Sequence, residues 1–270
     1  MKLFTADERL SEPRGPKLAI FGPSGVGKTS LLRTLDAACL PEAAFIDIEG
    51  GDLAIAGLSV ASLRPETWKH CIDIAAALGG PDVSLSSAAP YSEAHCQSVI
   101  SDPVLAGLAE YRILFVDSIT AASRLCFRWC EQQPEAYSDR ARKDLRAVYG
   151  LHGRSMVAWL NQLQRARPKT VILVGILERV IDSFNVASWQ PQLEGLKAGR
   201  EMPGIVDELI TYQWVDRGDG RAQRTLVCTS PNLWGFPAKD RSGLLAQFEA
   251  PNLGALLAKL GSTTESSKKG

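Results

Sequence analysis

Residues 22–30 read Gly22-Pro23-Ser24-Gly25-Val26-Gly27-Lys28-Thr29-Ser30. A glycine, four residues and then Gly-Lys-Thr is the spacing of a phosphate-binding loop. The glycines permit a tight backbone path that turns successive N–H groups inward, and a helix starting at the end of the loop adds its positive pole. In such a loop Lys28 reaches the β- and γ-phosphates and the Thr29 hydroxyl ligates Mg²⁺. An ordinary glycine-rich turn has no need of Lys28 and Thr29 directly after its last glycine. Gly22 through Ser30 are therefore the candidate nucleotide-binding residues.

Phosphate chemistry needs acids as well. ILFVD, residues 113–117, is an apolar run that ends in a carboxylate, and Asp117 is the candidate partner of Thr29 at the metal. Ser118 follows it where a water-activating glutamate could have stood, so the base has to come from elsewhere. FIDIEGG, residues 45–51, supplies Glu49 just past a second apolar run, and a carboxylate there can accept a hydrogen bond from an attacking water and aim it at the γ-phosphorus. Gly50 and Gly51 let the chain turn sharply beside it.

Other residues invite weaker readings. Residues 180–203 are rich in turn formers and carry Phe184, Trp189, Lys197 and Arg200, which suggests a long functional loop; aromatics with a few cations suit single-stranded nucleic acid. Trp189 packed on the core with solvated cations is an equal alternative. Arg124, Arg128, Arg140, Arg142 and Lys143 form a basic stretch whose default is a solvated face. His70-Cys71, His95-Cys96, Cys126 and Cys130 lack the knuckle spacing of a zinc site, and buried apolar cysteines are expected instead. PAKDRSG, residues 237–243, sets Lys239 and Arg241 in a turn far downstream of the phosphate loop.

These residues need a scaffold. KLAIF (17–21), AAFIDI (43–48), RILFVD (112–117) and TVILVG (170–175) are continuous apolar runs of buried strands. The loop should lead from the first strand into a helix beginning at Ser30. Residues 144–167 carry Leu145, Val148, Leu151, Met156, Trp159, Leu160 and Leu163 at helical spacing, closed by Pro168. Residues 206–214 and 224–228 read as strands joined across DRGDG, a hairpin turn. The fold expected is α/β, a mainly parallel central sheet flanked by helices, with antiparallel strands at its end.

At 270 residues and 45% hydrophobic composition, the chain can bury one sizeable core. Lys+Arg and Asp+Glu balance at 30 each, so no global field recruits nucleic acid and any basic surface is local. No apolar run approaches the ~18 residues of a membrane span, and no secretory signal core opens the sequence, so a cytoplasmic protein with no membrane partner is expected. The 6 cysteines are scattered, as in a reduced protein. No NKxD motif for guanine occurs, which disfavours a GTPase, and no arginine-rich lid marks a small-molecule kinase.

FGPSGVGKTS, FIDIEGG and ILFVDS together resemble the RecA-type ATPase core. DLRAVYGLHGRSMVAWLNQLQ, VILVGILE, GREMPGIVDELIT and PAKDRSG look like a family of phage and prophage ATP-binding proteins that includes Sak-type single-strand annealing and recombination proteins. The resemblance implies a RecA-like domain over residues 16–260, after an N-terminal extension (1–15), while the small, polar residues of the tail (261–270) suit a disordered segment. It also implies ATP hydrolysis with Mg²⁺, phage or prophage origin, assembly into rings or filaments, and single-stranded DNA as partner, with a single-strand-binding protein a further candidate. Carried over by position, Glu49 is the catalytic acid and Asp117 holds the metal beside Thr29. The segment carrying Arg179, Trp189, Lys197 and Arg200 approaches DNA, and Lys239 and Arg241 reach the nucleotide of the adjacent subunit, with Asp240 fixing the pair. One departure concerns the polar sensor expected after Val174, where the chain continues Gly175-Ile176-Leu177-Glu178-Arg179; Glu178 or Arg179 is the candidate. An ATP-gated binding factor with little hydrolysis is the alternative function.

Overall fold

The computed structural model describes residues 3–137, 142–218 and 220–261. Its first strand, β1 (Lys17–Gly22), is buried along its whole length. Leu18 and Ile20 face one core and Ala19 and Phe21 the other, which is how a continuous apolar run serves a sheet covered on both faces. The same division holds for β2 (Ala43–Asp47) and β4 (Ile113–Asp117), with the short β3 (Ala61–Leu63) at the edge. β5 (Thr170–Ile181), β6 (Ala187–Pro191), β7 (Glu208–Asp216), β8 (Ala222–Val227), β9 (Lys239–Asp240) and β10 (Phe248–Glu249) complete the set.

The sheet order is β10-β8-β7-β1-β5-β4-β2-β3, with β6 added to β5 and β9 to β7. From β3 to β7 the strands run parallel, while β8, β9 and β6 pair antiparallel. The expected architecture, a mainly parallel sheet finished by antiparallel strands, is the one observed. β5 lies between the phosphate-loop strand β1 and the Asp117 strand β4, so the cleft between them has a floor.

The N-terminal helix α1 (Ala6–Ser11) is held by a capping box between Thr5 and Glu8 and buries nothing. One sheet face is covered by α2 (Trp68–Gly79), the small α3 (Glu93–Ile100) and α4 (Pro103–Gly107), α5 (Ile119–Cys130), α6 (Leu145–Arg165) and α7 (Lys197–Ile205). There Trp159 of α6 stacks obliquely on Trp68, ring centroids 5.7 Å apart, and donates its indole N–H to the Cys71 carbonyl. The other face carries the turn after the phosphate loop and α8 (Leu253–Gly261) through Leu31, Leu32, Leu253, Leu256 and Leu260.

Two local expectations are corrected. The helix after the phosphate loop is 3₁₀, Thr29–Thr34, and the chain turns extended at Leu35. Thr34 closes it early: its hydroxyl donates to the Leu31 carbonyl and accepts from the Leu253 N–H of α8, so a side chain takes over where an α-helical ladder would continue. The supposed long loop over 180–203 is a hairpin and a helix. β5 runs on to Ile181, the Asp182 carboxylate gathers the Phe184 and Val186 N–H groups, β6 returns, and α7 follows. Asx chemistry at Asp182 with Asn185 at φ 60° makes a tight turn from residues that look like loop in sequence. The tail over 262–270 and Arg140 of the basic stretch lie outside the described residues.

Candidate active site

The loop after β1 keeps its shape through Gly25 and Gly27, at φ 78° and 100°, a region that side-chain-bearing residues rarely adopt. Lys28 curls back over it and donates to the carbonyls of Gly22 (3.0 Å) and Pro23 (2.9 Å). Burial lowers the Lys28 pKa, against which the Asp117 and Glu49 carboxylates favour the charged form. Thr29 donates its hydroxyl to Asp117 Oδ2 at 2.6 Å.

Asp117 ends β4, in register with Asp47 at the end of β2. Burial pushes the Asp117 carboxyl up to about 6; the Thr29 hydrogen bond and Lys28 pull it back, and the Glu49 and Asp47 charges add to the rise. Its carbonyl accepts from the Ile48 and Glu49 N–H groups, which ties the Glu49 loop to the end of β4. Glu49 is exposed and lines the cleft with Ser24, Lys28, Thr29 and Asp117. Ser118 is fully buried and caps α5 by accepting from the Ala121 N–H, so the position after Asp117 is spent on the fold.

Sequence reasoning missed Asp47. It is buried, its Oδ1 accepts the N–H groups of Gly50 and Gly51 at 2.8 Å each, and its Oδ2 has no hydrogen-bond partner among the described residues. It fixes the turn that carries Glu49. The signal was available: an acid inside an otherwise apolar run, two residues before Glu49, the one that drew attention. Arg224 and Tyr212 were missed as well. The Arg224 Nη1 would stand 3.0 Å from a Cβ on Gly27, and the Tyr212 hydroxyl 3.7 Å.

The donor set fits Mg²⁺. A hydroxyl and a carboxylate, both hard oxygens, meet at the mouth of a phosphate loop, and Thr29 and Asp117 would hold the ion. Among the described residues no cluster of three or more His, Cys, Asp or Glu could hold a metal. His95 pairs with Asp73, and Cys126 and Cys130 are buried with their sulfurs 4.0 Å apart.

At the sensor position the chain presents carbon. Gly175 is wedged so that a Cβ would lie 2.5 Å from Phe21, the Ile176 N–H is taken by Thr120, and Ile176 lines the cleft. Glu178 accepts from Gln192, and Arg179 pairs in register with Trp189 on the hairpin. Trp189 is half-buried against Phe236, 5.3 Å between centroids. Lys197 and Arg200 are exposed on α7, away from that pair in sequence, and the Lys197 stem lies over Gly153. Lys143 pairs with Glu131.

PAKDRSG sits at the other end of the sheet. Lys239 and Asp240 form β9 against Leu209 and Glu208, at the start of β7, whereas the phosphate loop leaves the parallel β1 opposite the far part of β7. Lys239 donates to the carbonyls of Pro203 and Val206, and Arg241 to Asp207 Oδ1 and the Gly204 carbonyl at 3.0 Å each. Asp240 accepts from Gly243, Leu245 and Ser242, so it shapes the turn and bonds to neither cation.

A buried parallel sheet, a Gly-Lys-Thr loop and facing acids at its carboxyl edge define a P-loop nucleotide-binding ATPase. A family model described as an AAA domain (AAA_24) matches residues 14–242, and the chain belongs to that family. No curated protein matches the sequence. Among solved structures it is similar to the RadB recombinase, at 14% identity over 80% of each chain with a TM-score of 0.38. It is also similar to a prototypical ATPase of the type III secretion system of pathogenic bacteria, at 16% identity over 78% of this chain and 55% of that one, TM-score 0.40. The assembled ATPase EscN from the type III secretion system of enteropathogenic E. coli is 19% identical over 73% and 43%, TM-score 0.35. All three likenesses are distant.

Proposed function

We propose that the protein is an Mg²⁺-dependent ATPase that acts on single-stranded DNA, in recombination or annealing, as a homo-oligomer. The observation that carries the enzymatic half is the convergence of Lys28, Thr29, Asp117 and Glu49 on one cleft. Lys28 exchanges two carbonyls of its own loop for phosphate oxygens, so its ammonium is held near its working place beforehand. Bound Mg²⁺ would neutralise phosphate charge beside Thr29 and Asp117. Glu49, exposed and anchored through its backbone to Asp117, accepts the proton-side hydrogen bond of the attacking water, while Asp47 keeps its turn in place.

The DNA half rests on the exposed hairpin. Phe184 at its tip is 84% exposed, Arg179 stands on β5, and Lys197 and Arg200 add charge on α7. Bases stacking on an aromatic with nearby cations is how single strands are held without sequence preference. In an assembly Lys239 and Arg241 would exchange carbonyls and Asp207 for the phosphates of a neighbour's nucleotide. A phage or prophage origin, a cytoplasmic setting and a single-strand-binding protein as partner belong to this same reading; among the described residues no helix is long and apolar enough to cross a membrane. Ile176 where a polar sensor was expected favours a second reading, an ATP-gated binding factor with slow hydrolysis.

The test is ATP turnover with and without single-stranded DNA, together with molecular mass in an ATP analogue. DNA stimulation and a ring or filament mass are expected. A DNA-indifferent rate from a monomer overturns the recombination reading, and DNA-dependent assembly without turnover selects the gated factor.

A further inference from the structure

The acids that face the terminal phosphate stand on one side of β1. Asp117 and Glu49 follow β4 and β2, beyond β5, so a triphosphate lying along the phosphate loop with its γ end toward them has its other end toward β7, the opposite neighbour of β1. What stands there is the β7–β8 hairpin. Tyr212 packs in the same core cluster as Val26 of the phosphate loop, and Trp214, two residues on, projects from the same face of the strand. Arg224 is directly opposite Trp214 in the antiparallel register.

These three side chains are arranged. Trp214 is 55% exposed, Arg224 lies over its ring with Cζ 5.7 Å from the centroid, and the same guanidinium abuts Gly27, where the Tyr212 hydroxyl also approaches. A single exposed tryptophan is ordinary on a protein surface. One capped by a cation that itself reaches the phosphate loop, on the side where a nucleotide leaves that loop, is placed for a flat aromatic ligand.

We infer that Trp214 is the platform on which the base of the bound nucleotide stacks, and that Arg224 is a positioning residue that holds the platform against Gly27. The inference rests on the phosphate loop's binding a nucleoside triphosphate. The base is recognised as a ring, so stacking gives affinity for nucleoside triphosphates over inorganic polyphosphate while discriminating little among bases.

Binding of Mg·ATP and of Mg·tripolyphosphate to the full chain separates the two ideas. Trp214→Ala should weaken ATP roughly ten- to hundredfold, the range of one lost base stack, and leave tripolyphosphate unchanged. Trp214→Phe should recover most of the ATP affinity. Arg224→Ala should weaken ATP by less than Trp214→Ala, again sparing tripolyphosphate. ATP should quench tryptophan fluorescence in the wild type and lose that quench in Trp214→Phe. Equal ATP affinity in wild type and Trp214→Ala, or equal losses for ATP and tripolyphosphate, overturns the platform. Lys28→Ala is the separate control: if it keeps both ligands, the phosphate loop reading fails instead.

Discussion

The two ends of the central sheet each bring cations and carboxylates together, and they do so to opposite effect. At the carboxyl end, Lys28 is held by two carbonyls of its own glycine-rich loop, and Glu49 opens to solvent. At the amino end, Asp207 accepts from Arg14 (2.7 Å), Arg241 (3.0 Å) and the Lys17 N–H (3.0 Å), and so clasps the N-terminal extension, β1 and the PAKDRSG turn. Lys239 closes the end of α7 there. Charge alone therefore does not mark a site. The first set has partners it can surrender to a phosphate; the second has partners whose loss unties three parts of the chain.

The largest effect would come from breaking that distinction. If Lys239 and Arg241 serve a neighbour's nucleotide, Lys239→Ala or Arg241→Ala leaves ATP binding intact and lowers turnover of the assembled protein by roughly 10³- to 10⁵-fold. Mixing either variant with Glu49→Gln then restores part of the activity at mixed interfaces. If the amino end is only a clasp, turnover per folded subunit is unchanged, mixing restores nothing, and melting shows a loss of about 1–3 kcal/mol from orphaned carbonyls and Asp207.

A smaller change sharpens the carboxyl end. Glu49→Gln keeps the size and the backbone bonds to Asp117, so ATP affinity should stay within about twofold while kcat falls roughly 10²- to 10⁴-fold, the range of one general base. Gly51→Ala should act less severely on the same chemistry, because its Cβ would stand 3.1 Å from Asp117 Oδ2 and 3.5 Å from the Thr29 methyl. Single-turnover and equilibrium nucleotide binding, measured together, separate the two variants.

The contrast also governs what could be read from sequence. Gly22 to Ser30, Asp117 and Glu49 could be singled out in sequence because phosphate chemistry fixes residue types and spacing within short stretches that end buried strands, and the structure brings Ser24, Lys28, Thr29, Glu49 and Asp117 to one cleft. The sheet was legible for the same reason: runs such as ILFVD have no other home than a covered strand. Asp47 was hidden by its company, since a buried acid inside an apolar run gains its meaning only from the Gly50 and Gly51 N–H groups folded over it. Arg224 gained its meaning from the hairpin register that sets it opposite Trp214. The turn at Asp182 and the early stop at Thr34 depend on side-chain hydrogen bonds to backbone, in Thr34's case with a partner more than two hundred residues away, Leu253. The small helices over residues 93–107 carry no strong period to announce them.

The smallest expected effect probes whether the amino end is as closed as its hydrogen bonds indicate. Glu208 is 1% exposed; its Oε1 accepts from the Ser242 N–H, while Oε2 finds no donor among the described residues and the side chain lies against Asp240. Burial, reinforced by the Asp240 charge, pushes its carboxyl up to about 7, from an ordinary value of 4.5. The folded chain thus binds a proton that the unfolded chain has released between those two values. Stability from this group is present in full below pH 4.5 and is lost as pH rises through about 7, a decline of roughly 2 kcal/mol between pH 5 and 8. Glu208→Gln has no proton to lose, and its amide can still donate to Asp240. The difference in unfolding free energy between wild type and variant should therefore drift in the variant's favour as pH rises. A difference that stays flat across that window would mean that water reaches Glu208 and that the amino end is open, leaving its cations free for another use.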